Sequence, residues 1–572
     1  MENEKDREYL RYLNFLKENP DYCMGCKLEE IAAKKPDFPA FIYKDKSINY
    51  GLFDEKANKF ACFFSSKGIK KGDVVALLMK NSPDYLAMVV GLSRLGAVAA
   101  LIITDLKEEK LAEDISLSEP RMVVVGEEFT DAWEKAKDFT RLRYPGTILF
   151  YPQLLADLPS QADKPEVAVK NFEPFVYLYT AAGFSGRKVV PLNHFRWLLT
   201  AETVRIYADL ASDEIGYTCI PFWLNSGFSG AFAAMMASES TLVLAPDFSV
   251  SSFWKDADKY KTTYFLGTGQ MFKYLYSQEP SDLDKKHGVK KVLSNGMAAD
   301  LFIPFKERFN IEHIIEIYGT TENVGILINL EERPGMCGCL NLAGLRLGEV
   351  VRYDKDKDRI IFDDNGYAVK SEVNETGVLL LKIGEYSGFE GYINNFEETD
   401  IRIMRSVFEK GDRYFNTRDL VRLHEDDYIE FVQRLDDVYR WKGKTISAHQ
   451  VADIIKKFFG PIDDALVVGI DVKGYEGRAG LAVIKLIEGE KLNWGKFVSH
   501  LKNHLPRYEI PSFIRISRTD KGLRKNKSRY IEEGFNPDYV KEELFVFDAE
   551  KEEYTRLTRE VYEAVLCHKI RL

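Results

Sequence analysis

Along the first third of the chain, apolar positions change period repeatedly. Over residues 53–68 they return at helical spacing, 74–78 is a short apolar run, 84–95 is helical again, and 98–103 is a second run. Short continuous apolar runs between amphipathic segments predict parallel strands buried on both faces by helices. A second cycle over 175–309 predicts strands at 175–179, 217–221, 241–245 and 263–267 with helices between them. Two cycles predict a double α/β body. After Glu322 the pattern shifts to short strands with Gly, Asn and Asp turns, at 345–351, 359–362 and 377–382. These predict a small β-barrel closing the large domain. From Asp437 onward the chain is more charged and more helical, with strands at 465–470 and 479–485. The fold expected is therefore α/β and α+β. A large N-terminal domain spans residues 1–434, with two α/β subdomains and the barrel, and a smaller α+β domain spans 435–572.

The longest apolar run, 86–104, is long enough to raise the question of a membrane span. Ser93 and Arg94 lie in its middle and Gly91 and Gly96 interrupt it, which fits a buried helix passing into a strand, because an unpaired arginine at bilayer depth is costly. The charged start, Met1-Glu2-Asn3-Glu4-Lys5-Asp6, precedes no apolar signal core. A cytoplasmic protein is expected, with a peripheral membrane contact left open. With 572 residues and 45% of them hydrophobic, the chain can bury more than one core. Its net charge of −10 opposes non-specific adhesion to nucleic acid or anionic lipid and favours small-molecule partners. Seven cysteines suit reduced thiols. Cys23-Met24-Gly25-Cys26 and Cys337-Gly338-Cys339 do not make a recognised zinc frame.

Chemistry-bearing residues concentrate in the last half. Tyr318-Gly319-Thr320-Thr321-Glu322 sets hydroxyls and a carboxylate at a strand end, where they can hold a hard cation against phosphate oxygens. The strand at 175–179 runs into Thr180-Ala181-Ala182-Gly183-Phe184-Ser185-Gly186-Arg187-Lys188, a small-residue loop that ends in a lysine able to balance phosphate charge. Ser294-Asn295-Gly296-Met297, Asp419, Arg434-Leu435-Asp436-Asp437 and Trp441-Lys442-Gly443 complete the series.

In order and spacing these motifs resemble the adenylate-forming (acyl-CoA synthetase) superfamily. Glu476-Gly477-Arg478-Ala479-Gly480 and Glu532-Glu533-Gly534-Phe535-Asn536-Pro537 look like its fatty acid transport protein / very-long-chain acyl-CoA synthetase branch. The resemblance covers nearly the whole chain. It implies ATP/AMP, Mg2+ and coenzyme A as ligands and a fatty acid as substrate. It also implies that residues 435–572 form a mobile lid pivoting at Asp436. Tyr318 would lie along the adenine and Asn295 and Gly296 at its edge. Thr321 would contact the α-phosphate or the substrate carboxylate, and Glu322 would help bind magnesium. Thr180, Ser185, Lys188, Gly319, Thr320, Arg434 and Gly443 would handle the nucleotide, and Asp419 would accept from the ribose hydroxyls. Trp223, Gly267 and Gly269 would border an acyl pocket, although such residues are nearly as well explained as core. Glu322 and Asp419 are expected to be partly exposed in a cleft.

Several positions depart from the family pattern. In its T-S-G-T-T-G-x-P-K loop only Thr180 and Lys188 match, while Ala181, Ala182, Gly183, Phe184 and Ser185 replace Ser, Gly, Thr, Thr and Gly. Arg418 stands where the family has glycine. Arg524 stands where the lid loop has the lysine that reaches the carboxylate and α-phosphate, and Lys525 follows it. Arginine keeps the charge but presents a bulkier planar fork. Two readings compete: an ATP-dependent fatty acid–CoA ligase, and a weakened or inactive homologue that binds acyl chains or nucleotide without turnover. A membrane-inserted transporter is a third, opposed by the lack of a convincing span. Acyl chain length and oligomeric state do not follow from the sequence.

Overall fold

The computed structural model describes residues 4–140, 147–180, 187–354, 359–384, 389–435, 438–442, 444–517, 523, 527–570 and 572. The chain divides into two compact units, with the break between Gln433 and Arg434.

The first unit is built on three large sheets, beside a two-stranded ribbon of Asn341–Leu342 and Leu345–Arg346. A six-stranded sheet runs in the order Thr147–Tyr151, Met122–Gly126, Val74–Leu78, Val98–Leu101, Pro174–Tyr179, Val189–Asn193, parallel except for the last strand. An eight-stranded sheet runs Ile326–Ile328, His313–Gly319, Lys291–Asn295, Tyr264–Thr268, Ile215–Thr218, Thr241–Leu244, Pro39–Tyr43, Lys46–Asn49, with antiparallel strands only at its two edges. The α/β alternation expected from the sequence is therefore present twice. The short strands after Glu322 lie in an antiparallel seven-stranded sheet that includes Gly348–Asp354, Thr376–Lys382, Arg413–Leu423 and Tyr428–Arg434.

The run 86–104 illustrates how the first sheet is covered. Ser82 caps the helix Pro83–Arg94 by accepting from the Tyr85 amide, and a proline sits in its first turn, which suits a helix start. Every residue of this helix is buried. The Arg94 guanidinium, 3% exposed, is paired with the Asp54 carboxylate and donates to Asn58 Oδ1 at 2.6 Å and the Gly25 carbonyl at 3.2 Å. A Cβ at Gly91 would meet the Ala57 carbonyl oxygen at 2.7 Å, so glycine is what lets this helix cross Tyr50–Ser66 so closely. The strand Val98–Leu101 then enters the sheet. Among the described residues no helix is long and apolar enough to cross a membrane.

The second unit has a five-stranded sheet, Ile462–Asp471, Arg478–Leu486, Phe513–Ser517, Glu543–Asp548, Glu553–Arg556, and the helices Ala448–Lys456, Trp494–His504 and Arg559–Leu566. Its own core joins Val451, Ile455, Val483, Ile484, Leu501, Phe513 and Val546.

Candidate functional site

Three neighbouring parallel strands of the eight-stranded sheet bring their carboxyl ends together. Register pairs Gly267 with Ser294 and Ser294 with Glu316, so the ends of Tyr264–Thr268, Lys291–Asn295 and His313–Gly319 share one edge. Open α/β sheets bind ligands at such an edge. Glu316, buried and absent from the sequence reading, organises the middle turn: its carboxylate accepts from Ser294 Oγ, from the Gly296 amide and, at 3.3 Å, from the Met297 amide. Gly296 takes φ +92°, which the tight turn requires and glycine supplies without strain. Asn295 spends its Nδ2 on the Ile317 carbonyl at 2.9 Å.

Tyr318 and Gly319 end their strand, and Thr320-Thr321-Glu322 turn away from it. The Tyr318 hydroxyl donates to Asp419 Oδ2 at 2.6 Å, joining two motifs far apart in sequence. Asp419 is 0% exposed, Glu322 is 8% exposed, and the cleft exposure expected for both is not found. The reason is internal pairing. The Tyr392 hydroxyl donates to Glu322 Oε1 at 2.6 Å, and Arg196 Nη1 donates to the Glu322 carbonyl at 2.6 Å. Burial, followed by the neighbouring Glu322 charge, pushes the Tyr392 hydroxyl far up, so it remains a donor. Burial also lowers the Arg196 guanidinium to about 10.

Thr180 and Lys188, which flank the small-residue stretch, are hydrogen-bonded to each other. The Thr180 amide donates to the Lys188 carbonyl at 3.0 Å, and the Lys188 amide donates to Thr180 Oγ1 at 3.1 Å. Lys188 Nζ is buried against Glu398 Oε2 at 2.7 Å and stands 5.3 Å from the Tyr392 ring centre. Tyr392, Glu398 and Arg196 had no signal in the sequence, because each is a common residue type whose partner lies far along the chain.

Around Thr320, polar groups are buried without hydrogen-bond partners among the described residues: Thr320 Oγ1, Asn225 Oδ1 and Asn323 Nδ2. Asn225 Nδ2 donates to the Thr320 carbonyl at 3.0 Å, so these atoms belong to one locality. An unpaired buried polar group costs about 1–3 kcal/mol, so such a set calls for an explanation.

Asp419 sits beyond Arg418, whose φ of +57° lies in the left-handed region. The position where the resemblance expects glycine therefore keeps a glycine-favouring backbone here. Trp223 is held in the core, its Nε1 donating to Thr104 Oγ1 at 3.0 Å. A Cβ at Gly267 would meet the Phe272 ring at 2.6 Å, so the space beside Gly267 is filled by that ring. Gly269 starts the helix Gly269–Tyr276. Arg434 is exposed at the end of Tyr428–Arg434. Ser185, Asp436, Gly443, Arg524 and Lys525 lie outside the described residues.

The AMP-binding enzyme family model matches residues 28–353. Long-chain fatty acid transport protein 2 of Rattus norvegicus is 30% identical, covering 95% of this chain and 90% of its own. The chain belongs to the AMP-binding enzyme family, in its fatty acid transport protein branch. Long-chain fatty acid transport protein 6 of Homo sapiens is similar to this AMP-binding family member to the same degree, 30% identical with the same coverage of both chains. Among solved structures, a double mutant of o-succinylbenzoate CoA synthetase from Bacillus subtilis, bound with its product analogue, superimposes with a TM-score of 0.72 at 18% identity. That match covers 88% of this chain and 98% of the other. A fatty acyl CoA synthetase of Mycobacterium tuberculosis gives 0.62 at 20% identity, covering 89% and 98%. At such identities these structures establish the adenylate-forming fold, and the family follows from the sequence matches.

Proposed function

We propose that this chain is an AMP-forming ligase that activates a long or very-long-chain fatty acid, or a similar apolar carboxylate, and transfers the acyl group to coenzyme A. In the first step a carboxylate oxygen attacks the α-phosphorus of ATP and pyrophosphate leaves. In the second, the coenzyme A sulfur attacks the acyl carbon and AMP leaves. The observation that carries this reading is the set of orphaned atoms on Thr320, Asn225 and Asn323 beside the buried Glu322. They offer a hydroxyl, a carbonyl oxygen and an amide donor to an oxygen-rich ligand. The hydrogen bond between Tyr318 and Asp419 supports assigning them adenine and ribose as neighbouring groups of one ligand.

Magnesium bound with a nucleotide needs only one or two protein carboxylates, because phosphate and water oxygens fill its other positions. Glu322 fits that need. Among the described residues no group of three or more His, Cys, Asp or Glu could hold a metal, so the fit is to an ion that arrives with phosphate. When bound there, it would neutralise charge developing on the phosphates. Glu322 would orient the ion, and Lys188, once drawn from Glu398, would oppose the remaining charge.

A binding homologue without turnover is the second reading. The buried Lys188–Glu398 pair favours it, because a phosphate must compete with a carboxylate already in contact. ATP/pyrophosphate exchange with a panel of carboxylates separates the two. A ligase shows carboxylate-dependent exchange that falls by at least about tenfold in Glu322→Gln, since that change removes charge while keeping an oxygen for Tyr392. In Arg524→Lys, exchange rises, because an ammonium replaces a fork that approaches edge-on. Saturable acyl binding with no exchange for any carboxylate would establish the second reading instead.

A further inference from the structure

Cys23 and Cys26 stand apart from the nucleotide site and from every role assigned above. Cys23 is the N-cap of the helix Met24–Lys34, and Cys26 follows within its first turn. Residues three apart at a helix start share one face. Their sulfurs are in contact at 3.3 Å. The two differ in access: Cys23 is 6% exposed, whereas Cys26 is only partly buried. Cys26 Sγ also lies 3.6 Å from the Asp21 carbonyl oxygen. No third metal ligand accompanies them among the described residues, which leaves the sulfurs to react with each other rather than to hold an ion. The other close pair, Cys337 and Cys339, directs its sulfurs to different carbonyls, those of Ile429 and Asp426.

We propose that Cys23 and Cys26 form a thiol–disulfide site, oxidised by small-molecule disulfides, in which Cys26 is the attacking sulfur and Cys23 the resolving one. Closing the bond requires the sulfurs to approach by about 1.3 Å, within reach of side-chain rotation at a capping residue. The contacts with the Cys23 side chain and backbone, helped by the Lys164 charge, bring the Cys26 thiol down against the opposing effect of burial, while the contact with Cys26 and burial push the Cys23 thiol up. In the first step the Cys26 thiolate attacks one sulfur of the oxidant, forming a mixed disulfide and releasing one thiolate. Cys23 then gives its proton to solvent and attacks the Cys26 sulfur, expelling the second thiolate. Two protein thiols lose two electrons and two protons, and the oxidant disulfide becomes two thiols. The buried sulfur thus acts only on a neighbour, and the accessible sulfur meets the oxidant.

The test uses the full chain in glutathione buffers of rising disulfide content, followed by acid quench, alkylation and tryptic mapping. Cleavage after Lys17 and Lys27 leaves both cysteines in one peptide, residues 18–27. Oxidised wild type should yield this peptide about 2 Da lighter, with neither sulfur alkylated. Cys23→Ser should accumulate a glutathione adduct on Cys26, and Cys26→Ser should form one on Cys23 at least about tenfold more slowly. Cys62 and Cys567, both exposed, report that the oxidant is active. A wild-type peptide still alkylated twice when Cys62 is fully glutathionylated would overturn the site. Equal adduct rates in the two variants would overturn the assignment of the attacking sulfur.

Discussion

At Arg418 a side chain occupies a backbone conformation that suits glycine. Its φ of +57° places Cβ against the following carbonyl, a strain of about 1–2 kcal/mol, and the Asn416 side chain offsets part of it by accepting from the Arg418 amide at 2.9 Å. The effect of the backbone is separable from that of the guanidinium by comparing two truncations. Arg418→Gly should be more stable than Arg418→Ala by about 1 kcal/mol in urea unfolding, the reverse of the order at an ordinary strand position. Asp419, next along, illustrates what the sequence did and did not reveal. Its acidic identity and spacing from Tyr318 were legible. Its complete burial was not, because burial follows from the Tyr318 hydroxyl and from the Thr417 side chain, which accepts from the Asp419 amide at 3.0 Å. The same holds for Glu322, whose cap, Tyr392, lies in a stretch with no motif of its own.

At the scale of elements, strands of the two α/β sheets were legible because runs such as Val74–Leu78 are apolar throughout, whereas Lys291–Asn295 was missed and of His313–Gly319 only the strand end at Tyr318-Gly319 was expected, because each mixes charged and apolar residues. Those two strands carry Ser294, Asn295, Glu316, Tyr318 and Gly319 of the candidate site. The helix His194–Tyr207 contains a titration of its own. Burial lowers His194 from 6.5 to about 3, and its Nδ1 accepts from the Met24 amide at 3.3 Å while the ring stacks on Phe175 at 4.2 Å. Between these two values the unfolded chain binds a proton that the folded chain refuses, so stability is full above the unfolded value and is lost as pH falls through the window. From pH 7 to pH 5 this histidine should account for about 2 kcal/mol of lost stability. His194→Gln keeps an acceptor for Met24 and should remove that share, a difference read from urea titrations at the two pH values.

For the whole molecule, the second unit has its own sheet, covering helices and closed apolar core, the properties of a domain that folds by itself. A fragment of residues 434–572 should therefore unfold cooperatively in denaturant with well-dispersed amide resonances. A fragment that stays collapsed but unstructured would contradict that independence. The broad division into an α/β body and a charged α+β domain was legible in the change of texture after Asp437. What no sequence pattern disclosed is how the polar centre of the first unit is neutralised from within.

That neutralisation comes from one short stretch. Tyr392 reaches Glu322 and Glu398 reaches Lys188, so a single segment of backbone restrains a carboxylate at one end and an ammonium at the other. The two contacts are mechanically joined, and a tie that has lost one anchor no longer holds the other in place. Their energies should therefore not add. In a double-mutant cycle of Tyr392→Phe and Glu398→Gln, the second substitution should cost less once the first is made, with a coupling of about 1 kcal/mol. Additive losses would mean that the segment is rigid enough to hold each charge independently.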